Sequence, residues 1–189
     1  MLTLRKGGHR ELEKYYSMME IDFDSRELIG KLAIHKAMIN GAAELLLLTE
    51  DESGLDLAYA LVMTKNIYGY VLIKYMGVLP WYRDKGVGVD FMRLINKRYA
   101  QCQGLIAELT AFDDEEGEYI RKLRRFFERF GYEKQEVDYF IGGERAELMV
   151  KPIKGPGDIS SVAKRIMPDF YSRCLSAYSM NRLISFDGK

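Results

Sequence analysis

The residues with the clearest chemical potential lie in one segment, residues 78–88, which reads Val-Leu-Pro-Trp-Tyr-Arg-Asp-Lys-Gly-Val-Gly. The segment is predicted between a strand and a helix, where a turn aims several backbone N–H groups at one point and the helix start adds a partial positive charge. Gly86 and Gly88 let an anion approach the main chain without a Cβ in the way, and Arg83 and Lys85 add side-chain donors. These features predict a site for a phosphate or pyrophosphate.

Two other phosphate-binding loops fit this segment less well. In the GxGxxG loop of dinucleotide-binding folds the third glycine would fall at Phe91, and a Walker loop requires a Gly-Lys-Ser/Thr sequence that does not follow here. On the two glycines alone, a tight turn that serves only packing stays open as an alternative.

The elements that position this segment follow from the hydrophobic periodicity, which predicts an α+β fold. The predicted order is helices 9–20 and 24–39, strands 43–49, 55–64 and 70–79, helix 86–100, strand 104–112, a helix from Asp113 or Asp114 to 130, strands 134–141 and 145–151, and helices 159–166 and 169–185 broken at Pro168. Asp24 and Glu27 resemble a capping box for the second helix. Gly77, near the end of a strand, indicates a β-bulge or a close backbone approach.

Two motifs at matching separation resemble the GCN5-related N-acetyltransferase (GNAT) family. Arg83-x-x-Gly86-x-Gly88 is similar to that family's Arg/Gln-x-x-Gly-x-Gly/Ala signature, and residues 126–132, Phe-Phe-Glu-Arg-Phe-Gly-Tyr, are similar to its second marker. The resemblance covers residues 1–152. It implies a mostly antiparallel mixed sheet that is splayed at two parallel strands, with helices on both faces. Residues 153–189 are then an appended C-terminal helical segment.

The resemblance also implies acetyl-CoA as cosubstrate, held in the splay. Its pantetheine arm is expected along the main chain of Gly77, Val78 and Leu79, with a backbone N–H near Val78 polarising the acyl carbonyl. The pyrophosphate is expected on the amides of the following cradle residues: Arg83, Asp84, Lys85, Gly86, Val87 and Gly88. Phe127 is assigned to the cofactor-binding surface.

The expected chemistry is direct attack of an amine on the thioester, which requires a base and benefits from an acid. Glu108 is the predicted base because its alternation along the strand places it on the acceptor side of the splay, although a role as a surface carboxylate or salt-bridge partner stays open. Asp113 and Asp114 are alternatives that helix capping also explains. The family usually has a tyrosine acid where Phe127 stands, and Phe127 cannot donate a proton. Tyr119, two turns earlier, is the predicted substitute, although a packing role for it stays open.

Composition limits the remaining partners. The 28 basic and 28 acidic side chains cancel, so no general field is expected to draw nucleic acid or an anionic membrane. No apolar run is long enough to span a bilayer, and the charged N-terminus is not followed by an apolar stretch, so a cytoplasmic location is expected. The C-terminal helices could close over the domain or pack against a second copy, so a monomer or a homodimer is expected. The two cysteines and two histidines fit no zinc spacing, so no metal is expected.

The acceptor is expected to be a primary amine of a small molecule or peptide. The acidic run at residues 113–118 is a candidate attractant for a cationic amine, or only an acidic helix start. Two alternatives to an acyltransferase stay open: a non-catalytic CoA-binding or regulatory module with the same fold, which the phenylalanine at 127 favours, and an interaction domain that binds no cofactor.

Overall fold

A mixed β-sheet forms the centre of the computed structural model, which describes residues 1–112 and 117–187. The strands are β1 (Leu2–Gly7), β2 (Ala43–Glu50), β3 (Asp56–Met63), β4 (Val71–Val78), β5 (Gly104–Leu109), β6 (Glu133–Lys134), β7 (Tyr139–Ile141), β8 (Glu144–Pro152) and β9 (Ile184–Ser185). The helices are α1 (His9–Asp22), α2 (Lys31–Ile39), α3 (Val87–Arg98), α4 (Glu118–Glu128), α5 (Ala163–Ser172) and α6 (Ala177–Leu183).

The strand order is β1-β2-β3-β4-β5-β8-β7-β9, with β6 paired to β8. Neighbouring strands in the described part of the chain pair antiparallel, except β4 and β5, which pair parallel. A parallel pair needs a crossover between its strands, and α3 supplies it. The predicted mixed, mostly antiparallel sheet is therefore confirmed.

Helices cover both faces of the sheet, and the alternation of side chains along the strands divides the core in two. In β2, Leu45 and Leu47 join the core under α1, α2 and α5, while Leu46 and Leu48 join the core under α3 and α4. An uninterrupted run of four leucines is what a strand covered on both faces requires. None of the helices in residues 1–112 and 117–187 is both long and apolar enough to cross a membrane.

The N-terminal region differs from the prediction in two ways. The edge strand β1 was missed, because only Leu2 and Leu4 alternate inward before the chain becomes charged. The predicted helix 24–39 begins only at Lys31. Leu28, Leu32, His35 and Ile39 recur at helical spacing and predict its apolar face, but Leu32 and Ile39 are 67% and 65% exposed. The face of α2 that packs against the core carries Ile34 and Ala37 instead, because the sheet rather than the spacing of apolar residues decides which face is buried.

Residues 153–187 pack onto the rest of the molecule. Ile166 and Phe170 of α5 are buried in the same core as α1 and α2, and β9 pairs with β7. The helix break predicted at Pro168 is wrong: Pro168 lies inside α5, and the chain breaks instead before Ser176, which caps α6 by accepting the Ser179 N–H. Residues 153–187 add helices, as predicted, but these helices pack into the same hydrophobic core as α1 and α2. The domain boundary at residue 152 stays a prediction.

Candidate active site

The parallel strands β4 and β5 separate partway along their length and leave a cleft between them. Their pairing runs from Val71 opposite Leu105 to Ile73 opposite Ala107 and then stops, although β4 continues to Val78. The cleft beyond this point has a volume of about 510 Å³ and is walled by the end of α1, the α1–α2 loop, both strands and α4. The sheet therefore opens at the place that the sequence predicted.

A β-bulge marks the beginning of the separation, but it does not lie at Gly77. Leu61 of β3 faces Tyr75, whereas its neighbour Val62 faces Ile73, so Lys74 is the extra residue. Gly77 is instead the close approach that was the second reading: a Cβ there would lie 2.7 Å from the Tyr59 ring. The bulge that was predicted at Gly77 therefore lies three residues earlier, at Lys74.

The backbone of β4 presents Val78 to the cleft. Leu79 donates its N–H to Leu57 O at 2.9 Å, so the alternation of a strand turns the N–H and C=O of Val78 away from β3 and into the opening. Gly77, two residues before Leu79, faces Tyr59 of β3, and the Leu79 C=O accepts the Tyr82 N–H at 2.9 Å. Of the three predicted pantetheine contacts, Val78 is the one whose backbone groups face the cleft.

The cradle follows β4 through a short 3-10 turn at Pro80–Tyr82. Asp84 and Gly86 both have positive φ, 60° and 79°, and left-handed residues of this kind are found in backbone turns whose N–H groups bind anions. Among the described residues no acceptor faces the amides of residues 84–88, the last two of which are the free N–H groups at the start of α3. A built Cβ on Gly86 meets nothing within 4 Å, so the space beside these amides is open.

The two basic side chains of the cradle are engaged elsewhere, contrary to the prediction that they point at the phosphates. Arg83 donates to Val78 O at 2.9 Å and to Asp22 Oδ1 at 2.7 Å, and its own N–H bonds to Pro80 O at 3.4 Å. Lys85 donates to Trp81 O at 2.9 Å. The donors that remain free in the loop are therefore the main-chain N–H groups of residues 84–88.

Helix α4 forms the opposite wall. Phe127 is buried and packs edge-on against Tyr132, so it lines the cleft from within the core. Its neighbour Phe126 approaches the cradle, lying 3.9 Å from a Cβ built on Gly88. Tyr119 lies at the rim, 56% exposed, and its hydroxyl has no hydrogen-bond partner among the described residues. Desolvation, and then the charges of Asp22 and Glu27, raise the pKa of Tyr119, so it keeps its proton at neutral pH.

Glu108 is in the cleft wall, as predicted, but it is not available as a base. It forms an ion pair with Lys74 at 2.9 Å, and the side chains of the two residues are 1% and 0% exposed. Tyr139 donates to Glu108 Oε1 at 2.5 Å, and Tyr171 donates to Oε2 at 2.7 Å. Both carboxylate oxygens are thus held by donors inside the core, and the enclosed side chain does not present either oxygen to a bound substrate.

A second carboxylate in the cleft, Glu27, was missed. The capping-box prediction placed it in a helix, but residues 24–30 form a loop with a turn at 25–27, in which Glu27 donates its N–H to Asp24 O at 3.1 Å. The turn carries the Glu27 side chain into the cleft, where it is 7% exposed. Gly30, in the middle of the predicted helix, was the available signal for a break. The alternatives Asp113 and Asp114, and the acidic run that begins with them, lie outside the described residues.

No family model matches the sequence, and no curated protein matches it. Solved structures match its fold. A Desulfovibrio desulfuricans protein assigned to the acetyltransferases of the GNAT family superposes with a TM-score of 0.61 at 16% identity, covering 81% of this chain and 99% of that one. Arabidopsis thaliana NAA60 in complex with acetyl-CoA gives 0.61 at 15% identity, with 82% and 100% covered.

A variant of spermidine N-acetyltransferase SpeG from Vibrio cholerae also gives a TM-score of 0.61, at 9% identity, with 80% of this chain and 93% of that chain covered. At these identities the likeness concerns the backbone. The chain has the GNAT fold, which confirms the fold implied by the two sequence motifs.

Proposed function

We propose that the protein is an N-acyltransferase that moves an acetyl or other short acyl group from acyl-CoA to a primary amine. The observation that carries this proposal is that two sets of free backbone N–H groups follow each other along the same segment of chain. The Val78 N–H faces the opening between β4 and β5, and the unpaired amides of residues 84–88 follow it on the same chain. One extended thioester with a diphosphate at its far end matches that order of groups.

In this proposal the main chain binds and the cleft performs the chemistry. The amides of residues 84–88 and the start of α3 hold the diphosphate. The Val78 N–H donates to the acyl carbonyl oxygen and stabilises the negative charge that develops there during attack. Tyr119, protonated and at the rim, is the proposed donor to the departing sulphur. A thiolate is a fair leaving group, with a free pKa of about 8.5, so this proton adds rate without being essential.

The acceptor class follows from the charge of the cleft. Asp22 is neutralised by Arg83 and Glu108 by Lys74, which leaves Glu27 as a further carboxylate among the described lining residues. An ammonium group suits such a wall, and the acceptor of the spermidine N-acetyltransferase, which has a similar fold, is also a cationic amine. A small-molecule or peptide amine, a cytoplasmic location and a monomeric or homodimeric state remain part of the proposal. Nucleic acid and membranes are not expected as partners.

A non-catalytic CoA-binding module is the second candidate, and a specific observation favours it. Phe127, which stands where the family resemblance implies a tyrosine acid, has no hydroxyl, and Glu108, the predicted base, is held in an ion pair. A module of this kind would bind acyl-CoA and transfer nothing.

Two measurements on the wild-type chain separate these candidates. Calorimetric titration with acetyl-CoA is expected to give binding in the micromolar range, and absence of heat at millimolar ligand would contradict both. Release of free thiol from acetyl-CoA is then followed with spermidine, a lysine-containing peptide and a peptide with a free α-amine. Thiol release above the amine-free rate supports the transferase, whereas binding without release in any mixture supports the module.

A further inference from the structure

We propose that Glu27 is the base that takes the proton from the acceptor's ammonium group. This inference rests on the acyl transfer proposed above and adds the residue that makes the amine nucleophilic. Glu27 lines the same cleft as Val78, whose N–H is the proposed donor to the acyl oxygen.

The side chain of Glu27 is held in place without being saturated. Thr110, just beyond the end of β5, donates its hydroxyl to Glu27 Oε2 at 2.7 Å. Among the described residues, no donor to Oε1 accompanies it. The carboxylate therefore has a fixed direction and one oxygen with capacity for a further hydrogen bond, which is the state that a base in a binding cleft requires.

The backbone of Glu27 is fixed independently by Tyr75 of β4. The buried Tyr75 hydroxyl donates to Glu27 O at 2.8 Å and accepts the Ile29 N–H at 2.8 Å. The Phe23 ring lies 4.8 Å from the Tyr75 ring and closes the other end of the turn. The turn is thus tied to the strand that carries Val78, so the distance between base and acyl site is set by the sheet.

The charges around Glu27 match the needs of an incoming ammonium. The Lys74 ammonium lies near two carboxylates, Glu108 in direct contact and Glu27 at longer range. The group of three carries a net charge of −1 when all are ionised. A bound ammonium neutralises this charge, and after its proton moves to Glu27 the remaining Lys74–Glu108 pair is balanced by itself.

The proposed step conserves protons and electrons. Glu27 takes one proton from the ammonium and becomes neutral, leaving an amine with a free electron pair. That pair forms the C–N bond to the thioester carbon, the C–S bond breaks, and its electrons leave on sulphur. The second proton lost from nitrogen balances the one gained by the thiolate, through Tyr119 or water. Glu27 then returns its proton to solvent.

The environment of Glu27 favours proton uptake. Burial raises the pKa of its carboxyl above the ordinary value, Lys74 and the Thr110 hydrogen bond oppose that rise, and Glu108 adds to it. A carboxylate whose pKa is raised towards the working pH accepts a proton more readily than an exposed one. The other cleft carboxylates lack this character, because Asp22 accepts from both Tyr59 and Arg83, and Glu108 is enclosed.

The test replaces Glu27 with glutamine, which keeps the shape and can still accept from Thr110 but cannot take a proton at neutral pH. With acetyl-CoA and the amine that the wild-type chain uses fastest, Glu27→Gln is expected to lower kcat by about 10²- to 10⁴-fold. The dissociation constant of acetyl-CoA, measured by calorimetry, is expected to stay within about twofold. The acidic limb of the kcat/KM pH profile should disappear in the variant. Glu27→Asp, which retains a carboxylate, should recover part of the rate.

The matched control is Glu52→Gln, the same change on an exposed turn between β2 and β3. It is expected to keep the wild-type rate. Equal kcat values for Glu27→Gln and the wild-type chain would overturn the assignment while leaving the transferase intact. A wild-type chain that binds acetyl-CoA but releases no thiol with any amine would overturn the transferase, and the role of Glu27 with it.

Discussion

Two carboxylates in one cleft have opposite surroundings. Glu108 lies where β4 and β5 separate and is enclosed by Lys74, Tyr139 and Tyr171. Glu27 lies on the loop wall, held by one hydroxyl, with an oxygen left over. The same functional group is therefore structural in one position and chemically available in the other. The difference arises from the number of donors each carboxylate meets, not from its depth in the cleft.

The position of the Glu108 pair explains its role. Lys74 is the bulge residue of β4, and Glu108 follows Ala107, the last residue of β5 that pairs with β4. The ion pair thus joins the strands just where backbone pairing ends. Tyr171 comes from α5, so the C-terminal segment contributes to the same junction. We infer that the ion pair and its two tyrosines hold β4 and β5 at a fixed separation and so determine the width of the cleft.

The largest expected effect comes from removing one partner of the Lys74–Glu108 ion pair. Lys74→Met leaves Glu108 buried without a counter-charge, and removal of one partner of a buried pair destabilises a protein by about 3–5 kcal/mol. Urea unfolding at neutral pH measures the loss. The matching change at the other carboxylate, Glu27→Gln, should have a much smaller effect. Its unfolding free energy should stay within about 1 kcal/mol of the wild-type value, because the hydrogen bond from Thr110 persists.

A double-mutant cycle shows whether the pair acts as a unit. Lys74→Met combined with Glu108→Gln should be at least about 1 kcal/mol more stable than the sum of the single effects predicts, because the second change removes the stranded charge. Additive single effects would mean that Lys74 and Glu108 do not interact as the structure indicates.

A smaller effect concerns the pH dependence of stability. Since burial raises the pKa of Glu27, the folded chain holds that proton more tightly than the unfolded chain, whose value is about 4.3. This contribution favours folding at low pH and is lost as pH rises through the folded pKa. Glu27→Gln does not titrate, so its stability relative to the wild-type chain should increase between pH 4 and pH 7, as measured by unfolding at both pH values.

Asp24, in the same loop, serves as the control because its contribution to stability should change with pH in the opposite direction. Its hydrogen bonds with Arg26 lower the pKa of the carboxyl to about 2, so its contribution is present above the unfolded value and is lost as pH falls. Asp24→Asn should therefore lose stability relative to the wild-type chain over the same rise in pH. If the stabilities of Glu27→Gln and Asp24→Asn relative to the wild-type chain changed in the same direction with pH, the opposite pKa shifts of the two carboxyls would be contradicted.

The backbone of the candidate site was more predictable from the sequence than the contacts of its side chains. The cradle and the strand before it are local: Gly86, Gly88 and Pro80 determine their own turn geometry, so their spacing was informative. Side-chain roles were not local. Arg83 turns back to Asp22, which lies 61 residues away, and Glu108 meets Tyr171, which lies 63 residues away. No pattern within a strand or helix specifies such partners.

The error at Glu27 has a different cause. Asp24 and Glu27 have the spacing of a capping box, but the same spacing suits a turn, and tertiary contacts from Tyr75 select the turn. The edge strand β1 and the two-residue strand β9 were also missed, because each is defined by its pairing with a distant strand rather than by its own composition.

The most direct test of the account is the binding of acetyl-CoA to a chain altered in the cradle. Gly86→Glu places a side chain and a negative charge beside the free amides of residues 84–88, and Gly54→Glu makes the same change at another open glycine of positive φ, in the turn before β3. The account predicts that calorimetry detects binding in the wild-type chain and in Gly54→Glu but none in Gly86→Glu. Equal affinity in all three would contradict it.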